Sequence, residues 1–418
     1  MEMPLNLRLA FRNIFRNRVR SAVALAAISF GCISLILAGG FFEDSFLRMR
    51  EAYIHAHLGH IQVYQEGYLD KGNSKPFDYL IEDPATVEGV IEGLDHVKDV
   101  TPRIGFSALL STGESTMSVM AQGIDPEGEN AMNVITSIKD VTTSLEFSKG
   151  ETLGKDDVFE VNIGRGLARA LDIEVGDSLI LLGNTVGGSF NGMDVTVKGI
   201  FFTASEEYDN YTMRIPIALA RQLLRTEAAQ TLVVLLDETE NTDLVLAQLQ
   251  DLARTRNLKI EMKPWYEMAD FYNKTVDLYD RQFFVLKIII AVIVILSIFN
   301  TIAMSIWERT KEIGTIMAMG FKRREIMRLF LLEGSILGIV GGVLGTLGGL
   351  LCAWLISLVG IPMPPPPGAT VGWTASIQLV PGVFMTAFVI SVTAAIASSV
   401  YPSYKASRLV VADALRYA

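Results

Sequence analysis

The sequence predicts an α-helical membrane protein with four transmembrane helices and a large α+β extracytoplasmic (periplasmic) domain inserted between helices 1 and 2. Two observations support this fold class. Of the 418 residues, 50% are hydrophobic, too many for a purely soluble protein, yet 20% are charged, too many for a chain lying wholly in a bilayer. In addition, one long apolar run precedes and three follow a single long polar stretch, 58–264.

The first span follows a basic segment. Residues 1–20 carry five arginines, and apolar residues recur there at helical spacing, which indicates an amphipathic helix on a membrane surface or simply a basic flank of the span. Residues 21–42 contain no charge, and at about 1.5 Å per residue they can cross a hydrocarbon core about 30 Å thick. The helical pattern then continues to His57, which predicts a stalk that leaves the membrane.

The polar stretch mixes predicted strands and helices. Short runs of alternating apolar and polar residues predict strands, and longer amphipathic runs predict helices. The two types follow no regular strand–helix–strand order, which favours an α+β domain over an open parallel sheet. A loop rich in turn-forming residues is predicted at 183–192. The predicted strands lie at 60–65, 97–110, 116–123, 158–163, 176–182, 195–202, 231–237 and 258–263, and the helices at 84–94, 164–171, 217–225 and 242–255.

The remaining spans follow a second stalk, 265–282. The second span carries one charge, Lys287, near its outer end, where a long side chain can reach the headgroups. The third span contains glycines four residues apart, such as Gly341 and Gly345. This spacing indicates a close helix–helix interface, with the ordinary glycine enrichment of membrane helices as the alternative. Four consecutive prolines predict a stiff extended loop before the fourth span.

Charge predicts how these segments are oriented. Residues 43–281 contain 40 acidic and 21 basic residues, whereas the two ends and the segment after span two are basic. Short basic segments stay in the cytoplasm, so both termini are predicted inside and the acidic domain outside. The predicted segments are an amphipathic N-terminal helix (1–20), helix 1 with its stalk (21–57), the α+β domain (58–264), a stalk with helix 2 (265–306), a cytoplasmic segment (307–328), helix 3 (329–359), a Pro-rich loop (360–376), helix 4 (377–400) and a cytoplasmic tail (401–418).

The cytoplasmic segment from Trp307 to Arg328 has the strongest pattern outside the spans. It contains six basic and three acidic residues between two long apolar runs. Gly320 predicts a break between two short helices, because glycine is a poor residue inside a helix and a common helix stop. On the first of these helices Ile313, Ile316 and Met317 share one side, and Glu308 and Glu312 share another face.

Motifs for catalysis and metal binding are missing from the sequence. Gly154-Lys155 is followed by Asp156, so no phosphate-binding loop for ATP is present, and neither a zinc-protease motif nor a serine-nucleophile motif is found. His55, His57 and His60 would not share a helix face, which argues against a metal site. The acidic run from Glu206 to Asp209 is interpreted as a solvated loop. We therefore predict no catalytic residues, no metal ligands and no nucleic-acid partner.

Three stretches together resemble a known family. They are the basic run into span one (LAFRNIFRNRVRSAVALAAISFG), the segment WERTKEIGTIMAMGFKRREIMRLFLLEG and the tail YPSYKASRLVVADALR. The polar stretch adds NIGRGLARALDIEVGDSLIL. With these the chain resembles, over nearly its whole length, the FtsX-like permease family of ABC transporters, which includes MacB-like exporters and the LolC- and LolE-like lipoprotein-releasing permeases.

The resemblance implies a mechanical mechanism in the bacterial inner membrane. A separate cytoplasmic ABC ATPase dimer would use ATP and Mg, and the permease would be non-catalytic with no cofactor bound directly. The segment after span two would bind that ATPase and pass its movement through the stalks to the outer domain. The residues that the resemblance assigns to ATPase coupling are Glu308, Arg309, Lys311, Glu312, Ile313, Ile316, Met317 and Gly320.

The resemblance also implies partners and a cargo. A second permease copy or a paralogue would complete the transporter, with membrane lipid around it. The expected function is the extraction of lipoproteins, passed to a periplasmic carrier that the 183–192 loop would contact. Phe41, Phe42 and Phe46 are apolar candidates for cargo contact, although such residues are more often membrane anchors. The alternatives are MacB-like efflux with a periplasmic adaptor, FtsX-like signalling to a cell-wall hydrolase, and a membrane-anchored enzyme, for which site residues are lacking.

Overall fold

A computed structural model of the chain describes residue 16 and residues 18–72, 74–135, 145–203, 205–364 and 373–410. Most of the predicted N-terminal helix, the proline run beyond 364 and the end of the tail lie outside these residues. The chain divides into two compact units. The helical unit comprises residues 1–46, 275–361 and 374–418, and the α+β unit comprises residues 47–274 and 362–373.

The strands of the α+β unit form one mixed sheet. The strands are β1 (Ile61–Gln65), β2 (Val97–Ser111), β3 (Thr116–Ile124), β4 (Glu146–Gly150), β5 (Glu160–Gly164), β6 (Ser178–Asn184), β7 (Phe190–Phe202), β8 (Thr212–Pro216), β9 (Thr231–Leu236) and β10 (Ile260–Pro264). The sheet order is β10-β1-β9-β2-β3-β8-β5-β7-β4, and β6 pairs with both β2 and β7. Within the described residues, β3 pairs with β8 and β5 pairs with β7 in parallel, while the other neighbours are antiparallel.

Strand β9 shows why the sequence forms a sheet covered on both faces. All six of its residues are buried, and alternate side chains point to opposite faces of a strand. Leu232 and Val234 pack into one hydrophobic cluster, and Val233 and Leu235 pack into another with Met132. A continuous apolar run is therefore required there, because neither face of the strand meets water.

Helices cover this sheet. A five-residue π-helix, Ile54–Leu58, ends the first long helix, and 3-10 turns lie at Pro76–Asp78 and Thr239–Asn241. The helices of the two units together are α1 (Arg18–Tyr53), α2 (Tyr68–Lys71), α3 (Pro84–Ile91), α4 (Pro126–Met132), α5 (Arg165–Leu171), α6 (Glu206–Tyr211), α7 (Ile217–Leu224), α8 (Thr242–Arg256), α9 (Trp265–Met268), α10 (Asp270–Glu308), α11 (Thr310–Ala318), α12 (Arg323–Val359) and α13 (Pro381–Ser407), of which α11, α12 and α13 lie in the helical unit.

The predicted strands and helices of this unit are all present, but five elements were missed. Two of them are the short helices α2 and α6, and α6 contains the acidic run 206–209 that was interpreted as a loop. Helix α4 and strand β4 lie in the polar region 124–157, where the sequence has no clear periodicity. Strand β8 is fully buried but short, with Arg214 at its centre, so it lacks the apolar alternation that marks other strands. The predicted 183–192 loop is shorter than expected, because β6 extends to Asn184 and β7 begins at Phe190.

The helical unit contains the predicted spans. Among the described residues, four helices are long and apolar enough to cross a membrane, namely α1, α10, α12 and α13. Two short strands, β11 (Ile361–Met363) and β12 (Trp373–Ala375), border the proline run.

Helix α12 packs closely against two neighbours through glycines. A Cβ atom on Gly345 would lie 2.5 Å from the Cβ of Cys32 on α1, and one on Gly338 would lie 2.6 Å from the Cβ of Ala395 on α13. Carbon atoms do not approach so closely, so these helix positions require glycine. The predicted glycine interface is confirmed, and its four-residue spacing serves two partner helices rather than one. The glycines that face α1 are Gly341, Gly345, Gly348 and Gly349, and those that face α13 are Gly334, Gly338 and Gly342.

Candidate functional site

The charged segment forms one short helix, α11, between two spans. The chain leaves helical geometry at Arg309, so Glu308 belongs to α10 rather than to α11. The helix ends at Ala318, and Gly320 has a φ of +100°, a left-handed value that favours glycine. The predicted break is present. The second predicted short helix is instead the start of α12, because no glycine or proline separates it from the apolar run.

The apolar side of α11 faces the helical unit. Ile313 is 2% exposed, and Ile316 and Met317 are half-buried against the same hydrophobic cluster. This cluster also contains Ile326 and Phe330 of α12. The three predicted coupling residues therefore fix α11 to the spans, and a partner protein would meet the opposite side of the helix.

Arg309 forms a buried ion pair at the start of α11. Its Nη1 atom donates to Oε1 of Glu333 on α12 at 3.1 Å, and its Nε atom donates to Oε2 of Glu312 at 3.1 Å. The side chains of Arg309 and Glu333 are 8% and 7% exposed. The guanidinium also lies 5.8 Å from the centre of the Phe330 ring. Arg309 thus connects α11 to the third span.

Two of the three acidic residues of the segment, Glu308 and Glu312, pair with arginines in or just before the first turn of α1. Arg16 lies 2.9 Å from Oε1 of Glu312, and Arg20 pairs with Glu308. Partial burial acts to raise the pKa of the Glu312 carboxyl, but the hydrogen bonds from Arg16 and Arg309 outweigh it and hold the pKa below its usual value. Glu312 therefore stays ionised and bridges Arg16, which lies just before α1, to Arg309.

The outward side of the segment is the part open to a partner. Lys311 and Thr315 on α11 and Met319, the residue that follows its last turn, are exposed and lie four residues apart, so they lie on one side of the helix. Gly320 is also exposed. Thr315 and Met319 were not predicted, although the spacing from Lys311 would have identified them. We call Lys311, Thr315 and Met319 the outward face of α11.

The aromatic residues near the far end of α1 pack against α10. The Phe42 ring lies 5.4 Å from the rings of both Tyr279 and Phe283, and Phe46 lies 6.1 Å from Tyr279. Phe41 contacts Phe42 edge-on. Phe41, Phe42 and Phe46 are half-buried, so each retains some surface on which an apolar cargo could bind.

A second buried charge cluster lies in the α+β unit, where the π-helix ends. Arg103 on β2 and Arg214 on β8 donate to the carbonyls of His57 and Ala56, the latter at 2.6 Å. Glu129 on α4 pairs with Arg103, and its other oxygen lies 3.8 Å from Arg214. The three charged side chains are at most 5% exposed. Cations are favourable at the carbonyl end of a helix, so this cluster, the stalk-end cluster, anchors the end of α1.

His60 follows the π-helix by two residues and is also buried. Its Nδ1 atom accepts from the Leu236 amide at 3.1 Å, and its Nε2 atom lies 3.0 Å from the hydroxyl of Thr239. The Thr239 hydroxyl donates to the buried carboxylate of Glu51 at 2.9 Å. Burial lowers the pKa of His60 to about 3. His60 is therefore neutral, with the proton on Nε2.

This depressed pKa predicts a loss of stability in acid. Between about pH 6.5 and about pH 3 the unfolded chain binds a proton at His60 that the folded chain does not, so stability should fall as the pH is lowered through this window. We expect the melting temperature of the wild type to fall more steeply from pH 7 to pH 5 than that of His60→Gln. Equal slopes in the two proteins would show that His60 does not titrate as described.

The acidic run at 206–209 is interpreted from the sequence as a solvated loop, but the structure places it in a helix that is only partly exposed. Glu206 and Glu207 are exposed in the first turn of α6, but Asp209 is 1% exposed and accepts hydrogen bonds from both the amide and the hydroxyl of Thr203. Burial raises the pKa of Asp209 to about 6. Its carboxylate is used to hold Thr203, which is a structural role. Within the described ranges, no three potential metal ligands lie together.

Two family models match the chain. The FtsX-like permease C-terminal model matches residues 284–411, which include α11 and the spans beside it. The MacB-like periplasmic core domain model matches residues 21–252.

Several curated proteins are similar over most of the chain. The lipoprotein-releasing system transmembrane protein LolC of Xylella fastidiosa (strain 9a5c) is 24% identical over 77% of this chain and 78% of its own length. LolC of Neisseria meningitidis serogroup B is 23% identical over 98% of this chain and 97% of its own length. The macrolide export ATP-binding/permease protein MacB 1 of Yersinia pestis bv. Antiqua is 23% identical over 98% of this chain, but over only 60% of its own length.

Solved structures show a weaker likeness. The periplasmic region of MacB from Actinobacillus actinomycetemcomitans covers 54% of this chain at 13% identity with a TM-score of 0.37. The extracellular domain of the transporter YknZ from Gram-positive bacteria covers 49% at 14% identity with a TM-score of 0.35. Both TM-scores are below 0.5, so these structures add nothing to what the family models establish.

Proposed function

Because this chain belongs to the FtsX-like permease family of ABC transporters and carries a MacB-like periplasmic core domain, we propose that it couples a separate ATPase to the release of lipoproteins from the bacterial inner membrane. In this proposal the chain is non-catalytic, and a cytoplasmic ATPase dimer uses ATP and Mg. Both termini and α11 lie in the cytoplasm. A second permease copy or a paralogue completes the transporter.

The observation that supports the proposal most directly is the way in which α11 packs against the spans and is connected to them by ion pairs. Its apolar side is buried among the spans, and Arg309 and Glu312 connect it to α12 and α1 through ion pairs. Its outward face remains exposed. A short helix fixed on one side and open on the other can receive a push from a docked protein and pass it to the spans.

The spans are connected to the outer domain directly by the polypeptide chain, so movement can pass along it. Helices α1 and α10 continue without a break from the helical unit into the α+β unit. At the end of α1 the stalk-end cluster binds the π-helix carbonyls to strands β2 and β8. In the proposed cycle, movement of α1 reaches the sheet through these two arginines, so the cargo need not cross the bilayer centre.

The lipoprotein cargo is proposed from the two LolC relatives, which align with most of this chain. Phe41, Phe42 and Phe46 would contact its acyl chains. The turn between β6 and β7, where Phe190 is 64% exposed, would contact a periplasmic carrier. The alternative is macrolide-type efflux with a periplasmic adaptor, which the MacB relative at nearly equal identity favours. FtsX-like signalling to a cell-wall hydrolase is a third possibility.

The cargo is tested by what stimulates ATP hydrolysis. The chain, its paralogue where one exists and the ATPase are reconstituted together in nanodiscs. Hydrolysis is measured with acylated lipoprotein, with the same protein lacking its acyl chains, with a macrolide plus adaptor, and with a cell-wall hydrolase. We expect only the acylated lipoprotein to stimulate hydrolysis. Stimulation by macrolide and adaptor alone would replace lipoprotein release with efflux, and stimulation by a cell-wall hydrolase alone would replace it with signalling.

A further inference from the structure

The start of α12 carries four exposed cations that the proposed coupling does not use. They are Lys322, Arg323, Arg324 and Arg328. Within the part of the chain that the structure describes, none of their side chains forms an ion pair with a carboxylate. By contrast, Arg16, Arg20 and Arg309 are each paired. We call these four residues the α12 cation cluster.

The one acid in this stretch does not neutralise the cluster. The Glu325 carboxylate accepts a hydrogen bond from the Lys322 backbone amide at 2.7 Å, which caps the helix. Positive side chains in the first turns of a helix are disfavoured, because the backbone amides there already carry partial positive charge. The cluster therefore places positive side chains where they destabilise the helix. A bound anion would offset that charge.

Contacts between the helices locate the cluster relative to the membrane. Gly334 on α12 is so close to Ser399 on α13 that a Cβ would come within 1.8 Å of its hydroxyl, and it lies beside Ile302 on α10. These three positions are therefore at the same depth. Trp307 lies five residues after Ile302, and Tyr404 lies five residues after Ser399. Each is therefore about 7 Å from that level, toward the end of the helical unit that carries α11.

Exposed aromatic residues mark the edge of the hydrocarbon core. Trp307 is 65% exposed and Tyr404 is 44% exposed, as expected of a membrane-interface belt. Arg328 lies six residues, or about 9 Å, from Gly334, just beyond these aromatics. Arg324 lies one turn further. A headgroup layer is about 5–8 Å thick on each side of a bilayer, so Arg328 and Arg324 fall at headgroup depth.

We infer that the α12 cation cluster binds the phosphate headgroups of anionic phospholipids. Three of its four cations are arginines, whose planar guanidinium can donate two hydrogen bonds to one phosphate. An anionic lipid also supplies the charge that the helix start lacks. A protein carboxylate would satisfy the same cations, but Arg328 and Arg324 lie at the depth of the lipid headgroups. Bound lipid would hold in place the N-terminal end of α12, which lies next to α11.

The test measures lipid binding by the full chain without its ATPase, so it does not depend on the coupling proposal. Phosphatidylglycerol and phosphatidylethanolamine are added separately to the detergent-purified protein, and bound lipid is counted by native mass spectrometry. We expect the wild type to retain phosphatidylglycerol in preference to phosphatidylethanolamine. A variant with Lys322, Arg323, Arg324 and Arg328 all changed to Gln should bind phosphatidylglycerol at least about tenfold more weakly.

Two further variants keep the result decisive. A variant that changes the three arginines to lysine keeps the charge and should retain most of the binding, which separates the loss of charge from misfolding. A matched control changes four exposed cations of the α+β unit, Lys71, Lys75, Arg254 and Arg256, to Gln and should bind like wild type. Unchanged lipid binding in the α12 variant would overturn the inference.

Discussion

Arg309→Met is expected to destabilise the helical unit by about 3–5 kcal/mol, because it removes one member of a buried ion pair. The Glu333 carboxylate would then lose the Arg309 guanidinium while it stays buried, or take up a proton. We expect the thermal unfolding midpoint of the purified chain to fall clearly. Lys311→Met, an equal change on the outward face, should leave the midpoint nearly unchanged because Lys311 is exposed.

The double variant Arg309→Met, Glu333→Met separates stability from coupling. A buried ion pair can often be replaced by apolar residues of similar size at little cost, so the double variant should recover much of the lost stability. It would still lack the ion-pair connection between α11 and α12. We therefore expect a stable protein that binds the ATPase but responds weakly to cargo. If Arg309→Met alone unfolds at the wild-type temperature, the buried pair does not hold α11 in place.

Glu129→Gln should destabilise the α+β unit by about 3 kcal/mol or more, because it leaves Arg103 and Arg214 without their shared carboxylate. The shape of the side chain is kept, so the effect reports charge. Unfolding of the full chain in denaturant gives the stability change. Hydrogen exchange of the amides at 54–58 should also become faster, because the arginines that bind the π-helix carbonyls lose their anchor.

The matched control for this prediction lies on the same helix. Glu127 is also on α4 and also forms an ion pair, with Lys155, but its side chain is 63% exposed. Exposed pairs contribute about 0–1 kcal/mol, so Glu127→Gln should have little effect on either measurement. Equal effects of the two substitutions would show that the buried cluster is no stronger than a surface pair.

The features of this chain that could be predicted from sequence are those with a local signal. The four spans follow from apolar runs, and the glycine interface of α12 follows from four-residue spacing. The break at Gly320 follows from the backbone preference of glycine. In the α+β domain, strands with alternating or continuous apolar runs, such as β9, were identified within a few residues of their ends.

The remaining features depend on residues that are distant in sequence. Arg309 meets Glu333 across 24 residues, and Arg103 meets Glu129 across 26. No periodicity connects such pairs, so Arg309 was predicted as a residue that binds a partner. The apolar stripe of α11 was assigned to the ATPase for a similar reason, since an amphipathic helix does not show from sequence whether its apolar side packs inside the same chain.

The central proposal is that the outward face of α11 binds an ATPase, and Met319 offers the most direct test. A photo-crosslinking residue is placed at Met319, which is 69% exposed, and in a separate variant at Met385 of α13, which is 65% exposed. Both proteins are irradiated in membranes that contain the ATPase. We expect Met319 to crosslink to the ATPase and Met385 to crosslink only to lipid or another membrane helix. An ATPase crosslink at neither position, or at both equally, would contradict the proposal.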